Sequence, residues 1–270
     1  MPWTSEHLKW LVDTGKRLTT AEGKTVEVWE FRHRKDKAVL SAWAKHFRNH
    51  YCPDTDIDIL KPPHYTRAEY LAKIKFPDSS VAPGPSIRAG DFGEILVADY
   101  LQYLLGYWVP RLRWNSKDIR NSSTKGCDIM GFKFISKRGS NNDTLAIFEV
   151  KAQFSGRKAT PKLQDAVDGS VKDDVRKAES LNFYKQRLFE KHLLEDALKI
   201  ERFQDPEDQP YEEIYGAVAL FSTSVFDAKQ VSKTDTSDHP HKGNLSLLVI
   251  RGETMMDLVR DLYRRAADEA

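Results

Sequence analysis

Cysteine is scarce: Cys52 and Cys127 are the only two in 270 residues. Two cysteines cannot make a disulfide framework or a cysteine-based zinc site, so a reducing cytoplasm is the expected location. Long apolar runs are missing as well. No stretch approaches the roughly 18 apolar residues of a spanning helix, and the N-terminus has no apolar signal core; a membrane partner is therefore not expected. Net charge is small, +2 from 42 Lys and Arg against 40 Asp and Glu, which taken whole argues against binding a polyanion. There is no G-x-x-x-x-G-K-[ST] loop, so ATP hydrolysis by this chain is not expected, and no G-x-S-x-G turn for a serine nucleophile. Internal repeats and low-complexity tracts are also absent.

The composition, 40% apolar and 30% charged, is that of a chain that folds and buries a core. Its small net charge conceals a gradient. Residues 1–80 carry a balance of +3, residues 81–160 of +5 and residues 161–270 of −6. The excess peaks between Arg111 and Arg138, where Arg111, Arg113, Lys117, Arg120, Lys125, Lys133, Lys137 and Arg138 face only Asp118 and Asp128. A local positive field attracts a polyanion even when the total is near zero. Arg111, Arg113, Lys117, Arg120 and Lys125 are the expected nucleic-acid contacts.

Periodicity predicts a helix near 5–13, a strand over 24–32 and a helix over 36–51. Six prolines punctuate residues 52–85, and the Pro/Gly/Ser stretch 77–86 predicts a boundary. It would separate an N-terminal α+β lobe, residues 1–80, from the main domain, residues 81–270. A helix over 91–105 follows, with Asp91 and Glu94 spaced as a capping box and Gly106 as its stop. Then come strands at 108–114, 127–135 and 144–152, one or two helices over 164–198, strands at 214–221 and 245–251, and a closing helix over 253–267. This order predicts a mixed α/β fold, a central mixed sheet flanked by helices.

Three pieces of this pattern carry chemistry. In the strand 144–152, Leu145, Ile147, Glu149 and Lys151 share one face, so an acid and a base extend an apolar face. Folding the hairpin brings Asp128, at the start of one strand, beside the end of the other. Glu94 lies on the helix stripe of Ala98, Leu101 and Leu105. Glu94, Asp128, Glu149 and Lys151 can thus meet at one edge. Carboxylates of this kind suit a hard divalent cation, Mg²⁺ or Mn²⁺, with Glu94, Asp128 and Glu149 as its ligands. Such a cation activates water and stabilises charge on a phosphate, and the Lys151 ammonium can orient the water or offset developing charge. The expected reaction is phosphodiester hydrolysis, with DNA as the leading substrate and RNA as a further possibility.

The arrangement Glu94…Asp128…Glu149-Val150-Lys151, an acid on a helix followed by Asp and E-x-K on a hairpin, resembles the PD-(D/E)XK nuclease superfamily. Cys127 stands where that motif often has proline. The resemblance covers 87–198 and implies a restriction-endonuclease-like core. The stretches Arg88–Leu96, Lys125–Ile129 and Phe148–Lys151, with 54–60 and 67–78, also resemble the nuclease subunits (HamA) of the Hachiman anti-phage defence system. That resemblance implies DNA degradation without strong sequence preference and a superfamily 2 helicase as partner.

The alternative is a catalytically inactive nuclease-like module that docks a helicase or nucleic acid. The N-terminal lobe, which has no catalytic pattern, is expected to bind a partner or to regulate. His46 and His50, spaced i,i+4 near Cys52, are a weaker zinc candidate, because the Glu of an H-E-x-x-H motif is missing. Of Trp29, Trp43, Trp108 and Trp114, expected to be packing anchors, Trp114 among the basic residues is the one candidate for base stacking.

Overall fold

The computed structural model describes residues 3–136 and 139–270; Lys137 and Arg138 of the basic segment lie outside them. A short 3₁₀ turn, Glu6–Trp10, leads into strand β1 (Leu11–Thr19) and β2 (Thr25–Phe31). Helix α1 (Lys37–Tyr51) follows, capped by the Asp36 side chain on the Val39 N–H. Two single-turn helices come next, α2 (Ile57–Leu60) and α3 (Arg67–Tyr70), before α4 (Gly84–Asp99). After a long connection, β3 (Ile129–Lys133) and β4 (Thr144–Gln153) form an antiparallel pair. Helices α5 (Lys162–Glu190) and α6 (Leu194–Glu201) lead to β5 (Glu212–Ser222). The chain closes with α7 (Ala228–Val231), β6 (Leu245–Gly252) and α8 (Met255–Asp268).

The strands build one six-stranded sheet in the order β1-β2-β6-β5-β4-β3. Its centre, β2-β6-β5-β4, is parallel, and its two outer pairs are antiparallel. The expected mixed α/β architecture is therefore what the chain adopts. Alternation along β4 sorts its side chains to two cores. Ala146, Phe148 and Val150 pack in the layer that holds residues of α1, α4 and α8. Leu145 and Ile147 pack in the layer of α5 and α6.

Four expectations are corrected here. The division near residue 80 does not separate two cores: β2 pairs in parallel with β6, and Trp43 and Phe47 of α1 share a core with Leu96 and Val150. The helix expected near 5–13 is a 3₁₀ turn that ends at Trp10, and from Leu11 the chain is strand, because Leu11–Thr19 finds an antiparallel partner in β2. Helix α4 begins at Gly84, seven residues before Asp91, so Asp91 is no capping residue. Pro85 is tolerated in the first turn, where its missing N–H has no partner to lose. The helix continues as a π turn, Tyr100–Leu104, and Gly106 ends it with φ +75°, a conformation that favours glycine. The expected strand 108–114 is reduced to a single bridge between Trp108 and Phe132.

Candidate active site

The site is an opening in the sheet edge. β3 starts at Ile129, opposite Phe148, while β4 runs on to Gln153. Beyond Phe148, β4 pairs with β5 on one side and has no strand on the other among the described residues. Asp128 occupies this gap: its Oδ2 accepts the Val150 N–H at 3.1 Å. A carboxylate thus takes the place of a missing ladder partner. The gap lets residues from both faces of the sheet approach the same point.

From one face comes Glu94 of α4. Gly93 lets the helix sit close, since a Cβ there would lie 3.3 Å from Leu220 and 3.4 Å from Val150. From the other face comes α5. A Cβ on Gly169 would fall directly on the Glu149 carboxylate, so the mid-helix glycine makes room for that acid. One turn further on, Asp173 is fully buried with both carboxylate oxygens unpartnered. Glu149 and Lys151 lie on this α5 face of β4, as alternation predicts. The Lys151 ammonium contacts Glu149 Oε1 and stands 4.0 Å from Asp128 Oδ2, while Glu149 Oε2 is buried without a partner.

Arg113 joins the two ends of the site. Its Nη2 lies 2.7 Å from Asp128 Oδ1 and its Nε 3.2 Å from Glu94 Oε2. Its guanidinium also donates to the carbonyls of Thr124 and Cys127, which pins the loop leading to Asp128. The Trp114 indole N–H donates to Glu94 Oε2 at 3.2 Å. The structure therefore brings Glu94, Asp128, Glu149 and Lys151 together, and adds Arg113 and Asp173.

Four carboxylates here face two cations, Arg113 and Lys151. Burial is the main cause that pushes the carboxyls of Glu94 and Glu149 up to about 8, with the negative Asp128 adding to it. Burial and Asp128 raise Asp173 to about 7. Burial works against the charged forms of Lys151 and Arg113, but their acidic neighbours outweigh it and both are raised. Orphaned carboxylate oxygens and an excess of negative charge fit a divalent cation, which is hard and takes oxygen ligands. They also set a pH dependence. Carboxyls raised above 4.5 keep protons in the fold that the unfolded chain has already released, so stability falls as pH rises from about 5 to about 8. The melting temperature of metal-free protein is expected to drop across that range. Millimolar Mg²⁺ should recover the loss at pH 8 and do little at pH 5. A flat metal-free profile would contradict this charge balance.

A groove of about 660 Å³ opens onto the site, lined by Gly90, Glu94, Asp128, Lys151, Lys125 and Arg176 among others. Lys125 is exposed there, as a phosphate contact requires. The other basic residues expected to meet nucleic acid are placed differently. Arg111 is buried 2.6 Å from Asp99, and the Lys117 ammonium is buried 2.6 Å from Asp91. Arg113 is buried in the site itself, and Arg120 is held by Asp78 at 2.7 Å. Arg111, Arg113 and Lys117 are counter-ions to acids that the fold buries, so the charge of these three is internal. Trp114 is buried too, and is no stacking platform.

The zinc candidate also resolves into an ion-pair network. His46, His50 and Asp99 offer ligand atoms within 4.8 Å of one another, without Cys52. The guanidinium of Arg111 already fills the cation's place, 2.7 Å from His50 Nε2 and 2.6 Å from Asp99 Oδ1. His7 and His46 hydrogen-bond to the same carboxylate at 2.9 and 3.0 Å. Burial raises the Asp99 carboxyl, but His46 and Arg111 outweigh it and hold it well below the usual range. Arg111 adopts φ +51°, unusual for a residue with a side chain, at the turn that delivers Arg113 and Trp114 to Glu94.

Fold and site together define an α/β protein with a buried carboxylate–lysine centre at an open sheet edge. The chain belongs to the HamA family, whose model matches residues 6–266, and with that family to the Hachiman anti-phage defence system. No curated protein matches it. Among the described residues, no helix is long and apolar enough to cross a membrane.

Proposed function

We propose that this protein is a divalent-cation-dependent nuclease that hydrolyses DNA phosphodiester bonds as the effector of its defence system. The observation that carries this reading is the excess of buried carboxylate at the β4 edge, with Glu149 Oε2 unpartnered and a groove beside it. Glu94, Asp128 and Glu149 would hold Mg²⁺ or Mn²⁺. When bound, the cation supplies Lewis acidity and lowers the pKa of water. The chain's own groups do the rest. Asp128 is fixed by the Val150 N–H and Arg113, so its carboxylate is oriented before any ligand arrives. The Lys151 side chain is a third exposed and is anchored by Glu149, so it presents donors to the groove. Those donors can offset the charge that builds on a phosphate or orient the attacking water. Lys125 and Arg176 line the approach and suit the sugar–phosphate backbone, whose neutralisation carries no sequence information.

A superfamily 2 helicase is the proposed partner. Apolar side chains exposed at the α5–α6 corner support a docking role: Phe189 is 63% and Leu198 62% exposed. The test of the nuclease reading is incubation of purified protein with DNA and with RNA of the same sequence, in Mg²⁺ and in chelator. Loss of full-length DNA in Mg²⁺ alone is expected. Degradation of RNA with DNA left intact would move the substrate class, and cleavage in chelator would remove the cation.

A further inference from the structure

We propose that Asp173 of α5 is a fourth carboxylate of the cation site, and that with Glu149 it holds a divalent cation on the α5 side of β4. The inference rests on the cation-dependent reading above and extends the site to an element outside the Glu94, Asp128 and Glu149 set. It starts from a contrast among buried acids. Asp99 is satisfied by His7, His46 and Arg111, and Asp91 by Lys117 and Tyr51. Asp143 accepts the N–H groups of Ile135 and Ser140 and pairs with Arg202. Asp173 is just as buried, yet among the described residues it is the one buried carboxylate with both oxygens lacking a hydrogen-bond partner.

A buried, unpaired carboxylate costs several kcal/mol or gives up its charge, so one is retained where a ligand completes it. Neighbouring protein groups do not complete this one. The closest cation is Arg176 Nη1, 4.0 Å away on a side chain that is 41% exposed. The Cys127 thiol lies against the same residue, 3.8 Å from the Asp173 carbonyl and within reach of its carboxyl, but a thiol is a weak donor and carries no positive charge. What the carboxylate does have near it is the site: Asp128 and Glu149 both act on it or are acted on by it electrostatically. Glu149 Oε1 is taken by Lys151, and its free Oε2 is the second orphaned oxygen of the cluster. Gly169, one turn before Asp173, lets α5 pack directly against the Glu149 carboxylate. Both donors are carboxylate oxygens, which select Mg²⁺ or Mn²⁺ over a softer ion.

The experiment is calorimetric titration of Mn²⁺ alone into metal-free full-length wild type, Asp173→Asn and, as a neighbour control, Asp174→Asn. Metal-free melting curves of the same proteins are recorded beside it. Wild type and Asp174→Asn are expected to bind alike. Asp173→Asn should bind roughly tenfold more weakly or worse, or lose one equivalent. Its metal-free melting temperature should equal or exceed that of wild type, since a buried like charge has been removed. Unchanged Mn²⁺ binding by Asp173→Asn would overturn the proposal, as would a lower metal-free melting temperature, which would mark Asp173 as structural. Absence of Mn²⁺ binding by wild type would overturn this inference and the cation-dependent reading together. Weakened binding by Asp173→Asn in a protein that cleaves no nucleic acid would sustain the site and reject the nuclease.

Discussion

Lys151→Ala should cut the rate of DNA cleavage in Mg²⁺ by about 10²–10³-fold, the usual cost of deleting one preorganised donor. The fold should survive. Lys151 is the most exposed member of the cluster, with a third of its side chain in the groove. Its removal also leaves the α5 face of β4 packed as before, because Leu145 and Ile147 carry that contact. Lys151→Arg keeps the charge but replaces a compact ammonium with a planar fork, so it should recover little activity. Rates are best compared at saturating Mg²⁺. The loss should then persist, since a lysine that merely assisted cation binding would be rescued by more cation. Full activity of Lys151→Ala at saturating Mg²⁺ would remove the lysine from the chemistry.

The second large effect lies away from the chemistry. Asp99→Ala should destabilise the protein by ~3–5 kcal/mol, the range for removing one partner of a buried ion pair. Asp99 is fully buried and is the single acceptor shared by His7, His46 and Arg111. Without it, Arg111 remains as an uncompensated buried charge in a left-handed backbone conformation. The same turn carries Arg113, which spans Glu94 and Asp128. Asp99→Ala is therefore expected to lower activity even below its reduced melting temperature. Chemical denaturation with activity measured at low denaturant checks both parts. Asp99→Asn should be milder in packing yet still costly, since it removes the charge that Arg111 requires. Wild-type stability in Asp99→Ala would show that the network is ornamental.

Much of the candidate site was legible because it rests on short-range regularities. Alternation in β4 placed Glu149 and Lys151 on one face, and the hairpin brought Asp128 beside them; the structure has both. What was not legible depended on partners remote in sequence. The helix expected near 5–13 stops at Trp10, and β1 beyond it carries no local signal because its identity comes from pairing with β2 and, through it, with β6. Pro83 and Pro85 read as a linker, although Pro85 lies in the first turn of α4. That misplaced start made Asp91 look like a cap, whereas Lys117 and Tyr51 claim it.

The basic segment shows the same limit more sharply. A run of Arg and Lys has the composition of a solvated, phosphate-binding face, but Arg111, Arg113 and Lys117 point inward to Asp99, Asp128 and Asp91. Composition counts charges and cannot count which acids the fold will bury beside them. Asp173 escaped notice because it sits in a helix with Asp165, Asp168 and Asp174, where nothing local sets it apart. The signal that marks it is Gly169, a glycine inside an otherwise regular helix. Such a residue has a packing reason more often than a conformational one, and here the reason is the carboxylate of Glu149.

The central claim is that a divalent cation held by the carboxylates at the β4 edge makes this protein a nuclease. The most direct measurement is digestion of plasmid and linear DNA by wild type and Glu149→Gln, each in Mg²⁺ and in chelator. Glu149→Gln preserves shape and removes a buried charge that is unpartnered at Oε2, so it should fold at least as well as wild type. The account predicts cleavage by wild type in Mg²⁺ and none in the other three conditions. Cleavage by folded Glu149→Gln at the wild-type rate, or intact DNA with Mg²⁺-loaded wild type, would contradict it.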